Sequence, residues 1–217
     1  MYQNNACILN GKHTFYDWGL YVGNNAAVEP PTVRTNFIEI PGRNGNIDMT
    51  ETLSGRPIYG NRVITLELGG KVAKERQQQF VSDFVNAYHG RRVTVEFDRD
   101  REWYYEGRAT ISGVEISNTV VRMTMTVDAD PYKYSRIDRL PKVKVDGSAS
   151  VRVEGSPLWV VPEFECSAAM EVTFEGKSYQ LNEGKNKLYD ILLKDQSYTM
   201  TFSGTGTVEI IYRRGRL

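Results

Sequence analysis

The feature that most constrains the fold is an alternation of apolar and polar side chains that recurs along most of the chain. It is clearest over residues 62–68 and 92–97. Successive side chains of a strand point to opposite faces, so this period predicts half-buried β-strands. Shorter segments of the same kind follow, separated by residues that favour turns. The pattern therefore predicts a mostly β fold of the sandwich type.

The predicted strands after residue 100 are short. In the first half they are Trp103–Tyr105, Ala109–Ile111, Val114–Ile116 and Val120–Val127, with a tight turn at Ser112-Gly113. In the second half they are Ser150–Val153, Glu163–Cys166, Glu171–Phe174, Tyr198–Phe202 and Thr207–Tyr212. The turns of the second half are predicted at Asp146-Gly147, Glu175-Gly176, Asn182–Gly184 and Gly204–Gly206.

Only one segment, Lys74–His89, has the period of a helix. Its apolar residues are three and four apart, which is typical of a single buried stripe, and they are Phe80, Val81, Phe84, Val85 and Tyr88. Gly90 follows as a natural C-cap. We expect the imidazolium of His89 to stabilise the carbonyl end of the helix.

The length of 217 residues predicts one large domain or two small ones. Prolines at 131 and 141 interrupt extended structure between two alternating regions. We therefore expect a seam at about Ile137–Lys142, with domains at 1–138 and 139–217.

The charge balance argues against some classes of protein. The chain has 27 basic and 27 acidic residues and a formal net charge of zero. A protein that mainly neutralises phosphate or coats an anionic membrane carries an excess of positive charge. The longest aliphatic or aromatic run, Leu158–Val161, is far shorter than a membrane helix. These features predict a soluble intracellular protein without a membrane anchor and without sequence-specific nucleic-acid binding.

Residues for catalysis are scarce. Cys7 and Cys166 are isolated in sequence, and only His13 and His89 could act as an imidazole base. Neither a metal site nor a cofactor motif is predicted, and the acidic run from Asp98 fails the EF-hand pattern. The chemistry indicates a structural or assembly protein rather than an enzyme. A hydrolase remains an alternative, and its candidate carboxylates would be Asp98, Asp100, Glu102, Asp128 and Asp130.

The order of several motifs resembles the distal tail protein (Dit) family of long-tailed, siphovirus-type bacteriophages and prophages. The resemblance spans nearly the whole chain. The motifs that carry it are Phe15–Leu20, Ile38–Gly45, Arg62–Leu68, the single helix, Arg91–Val95, Trp103–Tyr105, Asp130–Tyr134 and Gly204–Leu217. The Pro41–Gly45 element and the Asp130-Pro131-Tyr132 end are the more specific ones.

This resemblance implies an architecture and a function. The N-terminal domain would be a β-sandwich or split-barrel-like domain with one helix, and the C-terminal domain a galectin-like β-sandwich. Six copies would form a ring at the virion tail tip after synthesis in the host cytoplasm. The ring would join the tail tube protein to the tail-tip protein and leave a channel for DNA. In some relatives the second domain also holds receptor-binding or baseplate proteins.

A turn-rich element interrupts the strands of the first half. It contains a Pro-Gly and an Asn-Gly pair within five residues, both of which favour turns. In a ring subunit we expect this element and the strands that flank it to contact the next copy, and the expected contact residues are Pro41, Gly42, Arg43, Asn44, Gly45 and Asp48. The remaining alternatives are a carbohydrate-binding module, although Trp159 is expected to be buried, and another tail component such as a tube protein.

Overall fold

The computed structural model describes residues 5–24 and 26–217. These residues divide into two units, one of which ends at Lys133 and also includes Leu217, while the other is Tyr134–Arg216. Antiparallel strands dominate both, so the predicted mostly β fold is confirmed. The domain bounds of 1–138 and 139–217 stay a prediction.

The strands of the first unit are β1 (Cys7–Leu9), β2 (Lys12–His13), β3 (Tyr21–Val22), β4 (Ala27–Val28), β5 (Val33–Arg34), β6 (Phe37–Ile38), β7 (Ile47–Asp48), β8 (Ile58–Tyr59), β9 (Arg62–Lys71), β10 (Arg92–Phe97), β11 (Trp103–Ser117) and β12 (Val120–Ala129). The main sheet has the order β2-β1-β10-β11-β12-β9-β3, and β4 also pairs with β9. β5 pairs with β8 and β6 with β7 in two separate two-stranded sheets.

The alternation of β9 predicts its burial correctly. Ile64, Leu66 and Leu68 are buried, whereas Val63 and Glu67, which point to the other face, are exposed. β12 pairs with β9 along its whole length and adds its own alternate residues to the same core. β10 has the bounds that the sequence predicts.

The predicted helix is present and packs against β11. α1 (Gln77–Tyr88) follows a single turn of 3₁₀ helix (Lys74–Arg76), so regular α structure begins three residues later than expected. Its aromatic stripe meets Trp18, whose ring centroid lies 5.0 Å from that of Phe84 and whose Nε1 donates to Tyr88 Oη at 3.0 Å. The chain leaves the helix through Gly90, which has φ +72°.

Two expectations about this unit are wrong. Ser112-Gly113 does not form a turn, because β11 continues through it to Ser117 with a bulge, and Gly113 has φ +58°. A glycine in the left-handed region serves a bulge as readily as a turn. The His89 ring does not direct Nδ1 at the carbonyl end of the helix, because that atom accepts the backbone N–H of Ile111 at 3.0 Å.

The remaining strands are β13 (Lys133–Ser135), β14 (Val143–Glu154), β15 (Glu163–Cys166), β16 (Met170–Phe174), β17 (Lys177–Leu181), β18 (Gly184–Lys187), β19 (Ser197–Ile211) and β20 (Gly215–Arg216). Their sheet has the order β17-β16-β19-β15-β18, with β14 also on β19, while β13 pairs with β20. The predicted turn at Glu175-Gly176 joins the paired strands β16 and β17 as expected. The segment predicted as a turn at Asn182–Gly184 instead connects β17 to β18, which lie at opposite ends of this strand order, and Gly184 is the first residue of β18.

The predicted turns at Asp146-Gly147 and Gly204–Gly206 are wrong. β14 and β19 pair without interruption from Val143↔Val208 to Glu154↔Ser197, with Gly147 opposite Gly204. On its other edge β19 pairs with β16 up to Gly204 and with β15 from Val208. The glycines therefore lie where a continuous strand changes partners. Side chains from both parts form one core, as in the contact between Phe164 and Phe202 at 6.0 Å between ring centroids.

No helix within residues 5–24 and 26–217 has the length and apolar character needed to cross a bilayer.

Candidate assembly surface

The segment from Thr32 to Gly60 forms a long hairpin, which we call the arm. It begins at the β5–β8 pair, where the Gly60 N–H donates to the Thr32 carbonyl at 2.8 Å. Farther out, β6 pairs with β7, and the Met49 N–H donates to the Asn36 carbonyl at 2.8 Å. Because β5–β8 and β6–β7 are both two-stranded sheets, the arm lacks the layered packing that stabilises the main sheet.

The turn-rich element predicted from the sequence forms the tip of the arm. Gly42 and Gly45 have φ values of +81° and +75°, which side chains rarely tolerate, and the Arg43 N–H donates to the Ile40 carbonyl at 3.1 Å. The structure brings the first five predicted contact residues together there, and all are exposed: Pro41, Gly42, Arg43, Asn44 and Gly45.

The sixth predicted contact residue, Asp48, lies in β7, directly opposite Phe37 of β6. Its Oδ1 accepts the Thr50 N–H at 2.9 Å. The Thr50 side chain, followed by its backbone N–H, lowers the pKa of the Asp48 carboxyl. Asp48 is thus an exposed, ionised carboxylate that is held in place beside an aromatic ring.

The arm exposes more large apolar side chains than its length explains. Leu53 is 98% exposed, Phe37 54% and Val33 53%. Ile38 and Ile40 are exposed as well. Grouped apolar residues on a surface indicate an interaction site, whereas isolated ones do not. The sequence pointed to the strands that flank the tip, but it did not identify these side chains as exposed, because their pattern is the same as that of a strand with a buried face.

Three of the five carboxylates proposed for a hydrolase, Asp98, Asp100 and Asp130, have basic side chains as partners in the first unit. Asp98 is not the solvated group expected from its turn: its side chain is 9% exposed, with His13 Nε2 at 3.0 Å and Arg101 Nη2 at 2.7 Å. Lys133 Nζ lies 2.5 Å from Asp100, and Arg92 Nη2 lies 2.7 Å from Asp130. These pairings give Asp98, Asp100 and Asp130 a structural role in the first unit.

The two thiols do not have the character of nucleophiles. Burial raises the pKa of the Cys7 thiol to about 12, against the opposing effect of a hydrogen bond with Thr14. Burial also raises the pKa of Cys166. A reactive cysteine needs the opposite shift, toward a thiolate at neutral pH. Within the described ranges, no group of three metal-ligating side chains is found.

In the second unit, the aromatic residues differ from expectation. Trp159 is half-buried rather than buried, and Lys194 Nζ lies 5.0 Å from its ring centroid. Tyr189 is 78% exposed, with Lys187 Nζ 5.9 Å from its ring. A single exposed aromatic ring is a weak platform for a ligand, so the arm is the stronger candidate surface.

A comparison with solved structures identifies the fold. The SPP1 Dit (gp 19.1) protein, a paradigm of the hub adsorption apparatus of phages that infect Gram-positive bacteria, matches with a TM-score of 0.65 and 14% identity. The match covers 99% of this chain and 100% of the SPP1 chain. The chain has the fold of a distal tail protein. The resemblance predicted from the sequence is thereby confirmed for the fold of the whole chain.

The other comparisons add little. A conserved protein of unknown function, PA5104 from Pseudomonas aeruginosa PAO1, matches 90% of this chain and 98% of its own, with 10% identity and a TM-score of 0.28. Neither a protein-family model nor a curated protein sequence matches this chain.

Proposed function

We propose that the protein is a structural component of a phage tail tip, in which six copies form a ring. The observation that carries the proposal is the match of the Dit fold over the full length of both chains. The ring would join the tail tube to the tail-tip protein and leave a channel for DNA. The second unit, in the position of the galectin-like domain of the family, would recruit receptor-binding or baseplate proteins.

The exposed arm supports this proposal independently of the comparison. A ring needs a heterologous contact, in which one surface of each copy meets a different surface of the next. The arm supplies a projecting apolar surface, with its tip residues Pro41–Gly45 and the neighbouring Asp48 as the proposed contacts. Burial of this surface by a neighbour would remove the apolar side chains from water.

The test is the mass of the purified chain by light scattering over a concentration series, with negative-stain images of the largest species. We expect a closed ring with a central hole. A monomer at all concentrations, together with no ring when tail tube protein is added as a template, would contradict the proposal.

Sugar binding by the second unit is a second candidate function. It is favoured by the exposed ring of Tyr189. A glycan array would detect binding, and Tyr189→Ala should abolish it. A signal that survives this change would have another origin.

A further inference from the structure

A cavity of about 480 Å³ lies at the base of the arm, within the first unit. Its walls are mostly apolar, and the residues that form them include Val28, Pro30, Pro31, Val33, Tyr59 and Tyr105. One strongly polar side chain, that of Arg62, also lines it. An apolar cavity with few polar groups is the usual form of a binding site.

Arg62 is buried in a way that leaves its guanidinium incompletely paired. It starts β9 in the same alternation as Ile64 and Leu66, and it is only 4% exposed. Within the described part of the chain, its Nε and Nη2 have no hydrogen-bond partner. Burial lowers the pKa of this group, and the nearby Tyr105 hydroxyl opposes the shift. A buried charge with unpaired N–H groups is costly, which indicates that a group outside this chain completes the site.

The two unpaired atoms specify the chemistry of that group. Nε and Nη2 form one edge of the planar guanidinium, and this edge binds a carboxylate through two parallel hydrogen bonds. The apolar walls around it favour an apolar or aromatic neighbour beside the carboxylate. The cavity therefore fits an acidic side chain that is presented together with a hydrophobic one.

The arm presents this combination. Phe37 and Asp48 are directly opposite each other in the β6–β7 pair, so their side chains share one face. Phe37 is 54% exposed, and Asp48 is exposed too. Val33 and Tyr59, of the β5–β8 pair at the arm's own base, are cavity walls. Because the base of the arm is itself part of the cavity wall, an arm that enters the cavity comes from another copy.

We propose that the cavity at Arg62 receives the Phe37–Asp48 face of the arm of a second copy of this chain. The Asp48 carboxylate accepts one N–H from Nε and one from Nη2 of Arg62, and Phe37 packs against the apolar walls. This pairing rests on the proposed ring and names its contact. It is head-to-tail, so every copy in a closed ring uses one arm and one cavity.

Reversal of the two charges tests the pairing. Self-association of the full chain would be measured by sedimentation velocity for wild type, Arg62→Glu, Asp48→Arg and the double variant. Each single change should weaken association by about thirtyfold or more, because it leaves a charge buried without its partner. The double variant should recover most of that loss. Glu51→Arg, the same change of charge at another exposed position of the arm, should have no effect.

The variant Arg62→Met distinguishes a role of Arg62 in association from a role in folding, because methionine keeps the apolar stem and removes the charge. It should weaken association while the unfolding midpoint stays the same or rises, because an unpaired buried charge is removed. A wild-type ring that is unaffected by Arg62→Glu, or a double variant without rescue, would overturn the pairing and leave the proposed ring intact.

If the wild-type chain is monomeric, a mixture of Arg62→Cys and Asp48→Cys chains replaces the association assay. An intermolecular disulfide between the two chains would support the pairing. Folded chains that give no such disulfide at high concentration would contradict it. The proposed ring is tested separately, by negative-stain images of the chain mixed with tail tube protein, and the absence of rings there would contradict the ring and not only this pairing.

Discussion

The β6–β7 hairpin of the arm and the β16–β17 hairpin have similar local structure and different surroundings. Each is a pair of short antiparallel strands that are joined by a segment containing glycine. In β16–β17, Val172, Phe174 and Leu181 enter the core of the second unit. In the arm, Phe37 and Ile38 remain exposed. The difference shows that alternation defines the faces of a hairpin, whereas the packing partner of each face is decided elsewhere in the chain, or in another chain.

The largest expected effect is a difference in the free energy of unfolding between a substitution in β16–β17 and one in the arm. Phe174 is 3% exposed and packs against Tyr198, with 5.1 Å between ring centroids. Phe174→Ala should lower the free energy of unfolding by about 3–5 kcal/mol, because it leaves a cavity. Phe37→Ala should stay within about 0.5 kcal/mol, as is usual for surface changes.

Urea unfolding followed by thiol labelling measures both variants. Cys7 and Cys166 are buried, one in each unit, so their labelling reports the opening of each unit separately. Phe174→Ala should advance the labelling of Cys166 toward lower urea. A comparable shift from Phe37→Ala would mean that the arm is part of a folded core, and the comparison between the hairpins would fail.

A smaller effect is expected where β19 changes partners. Gly206 has φ +152°, and a Cβ there would lie 2.8 Å from Ser167 Oγ. Gly206→Ala should therefore destabilise the second unit by about 1–3 kcal/mol. Thr205→Ala, at the exposed neighbouring position, is the matched control and should have little effect. Equal unfolding midpoints for the two variants would contradict the account of this bend.

The smallest effect concerns the charge on the arm. Because the folded-state pKa of Asp48 is lowered, its bonds to Thr50 stabilise the turn above the unfolded pKa and are lost as pH falls through the folded value. We expect the Thr50 amide resonance to shift below about pH 4, near the ordinary pKa of aspartate. Asp48→Asn should remove this shift, and its persistence would assign the titration to another group.

Much of the fold follows from local pattern. β10 and the aromatic stripe of α1 are as predicted, because the period alone determines which residues share a face. The errors at Gly113 and Gly204–Gly206 have one cause. Glycine allows a turn, a bulge or a bend in a paired strand, and only the partner strands distinguish these outcomes.

The candidate surface was predictable in part. The Pro-Gly and Asn-Gly pairs locate the tip of the arm, but they carry no information on the exposed ring of Phe37. The unusual position of Arg62 was visible in the sequence: it falls on the same face of β9 as the apolar residues Ile64 and Leu66. A charge at such a position is a reason to expect a partner. Its identity depends on residues far away in sequence, and in the proposed contact on another copy.

The central claim is that the arm holds one copy to the next. Its most direct test compares the solution mass of the wild-type chain with that of a Phe37→Ser/Ile38→Ser variant, by light scattering at matched concentrations. The account predicts a ring for the wild type and a monomer with unchanged unfolding for the variant. Rings of the same mass from both chains would contradict it.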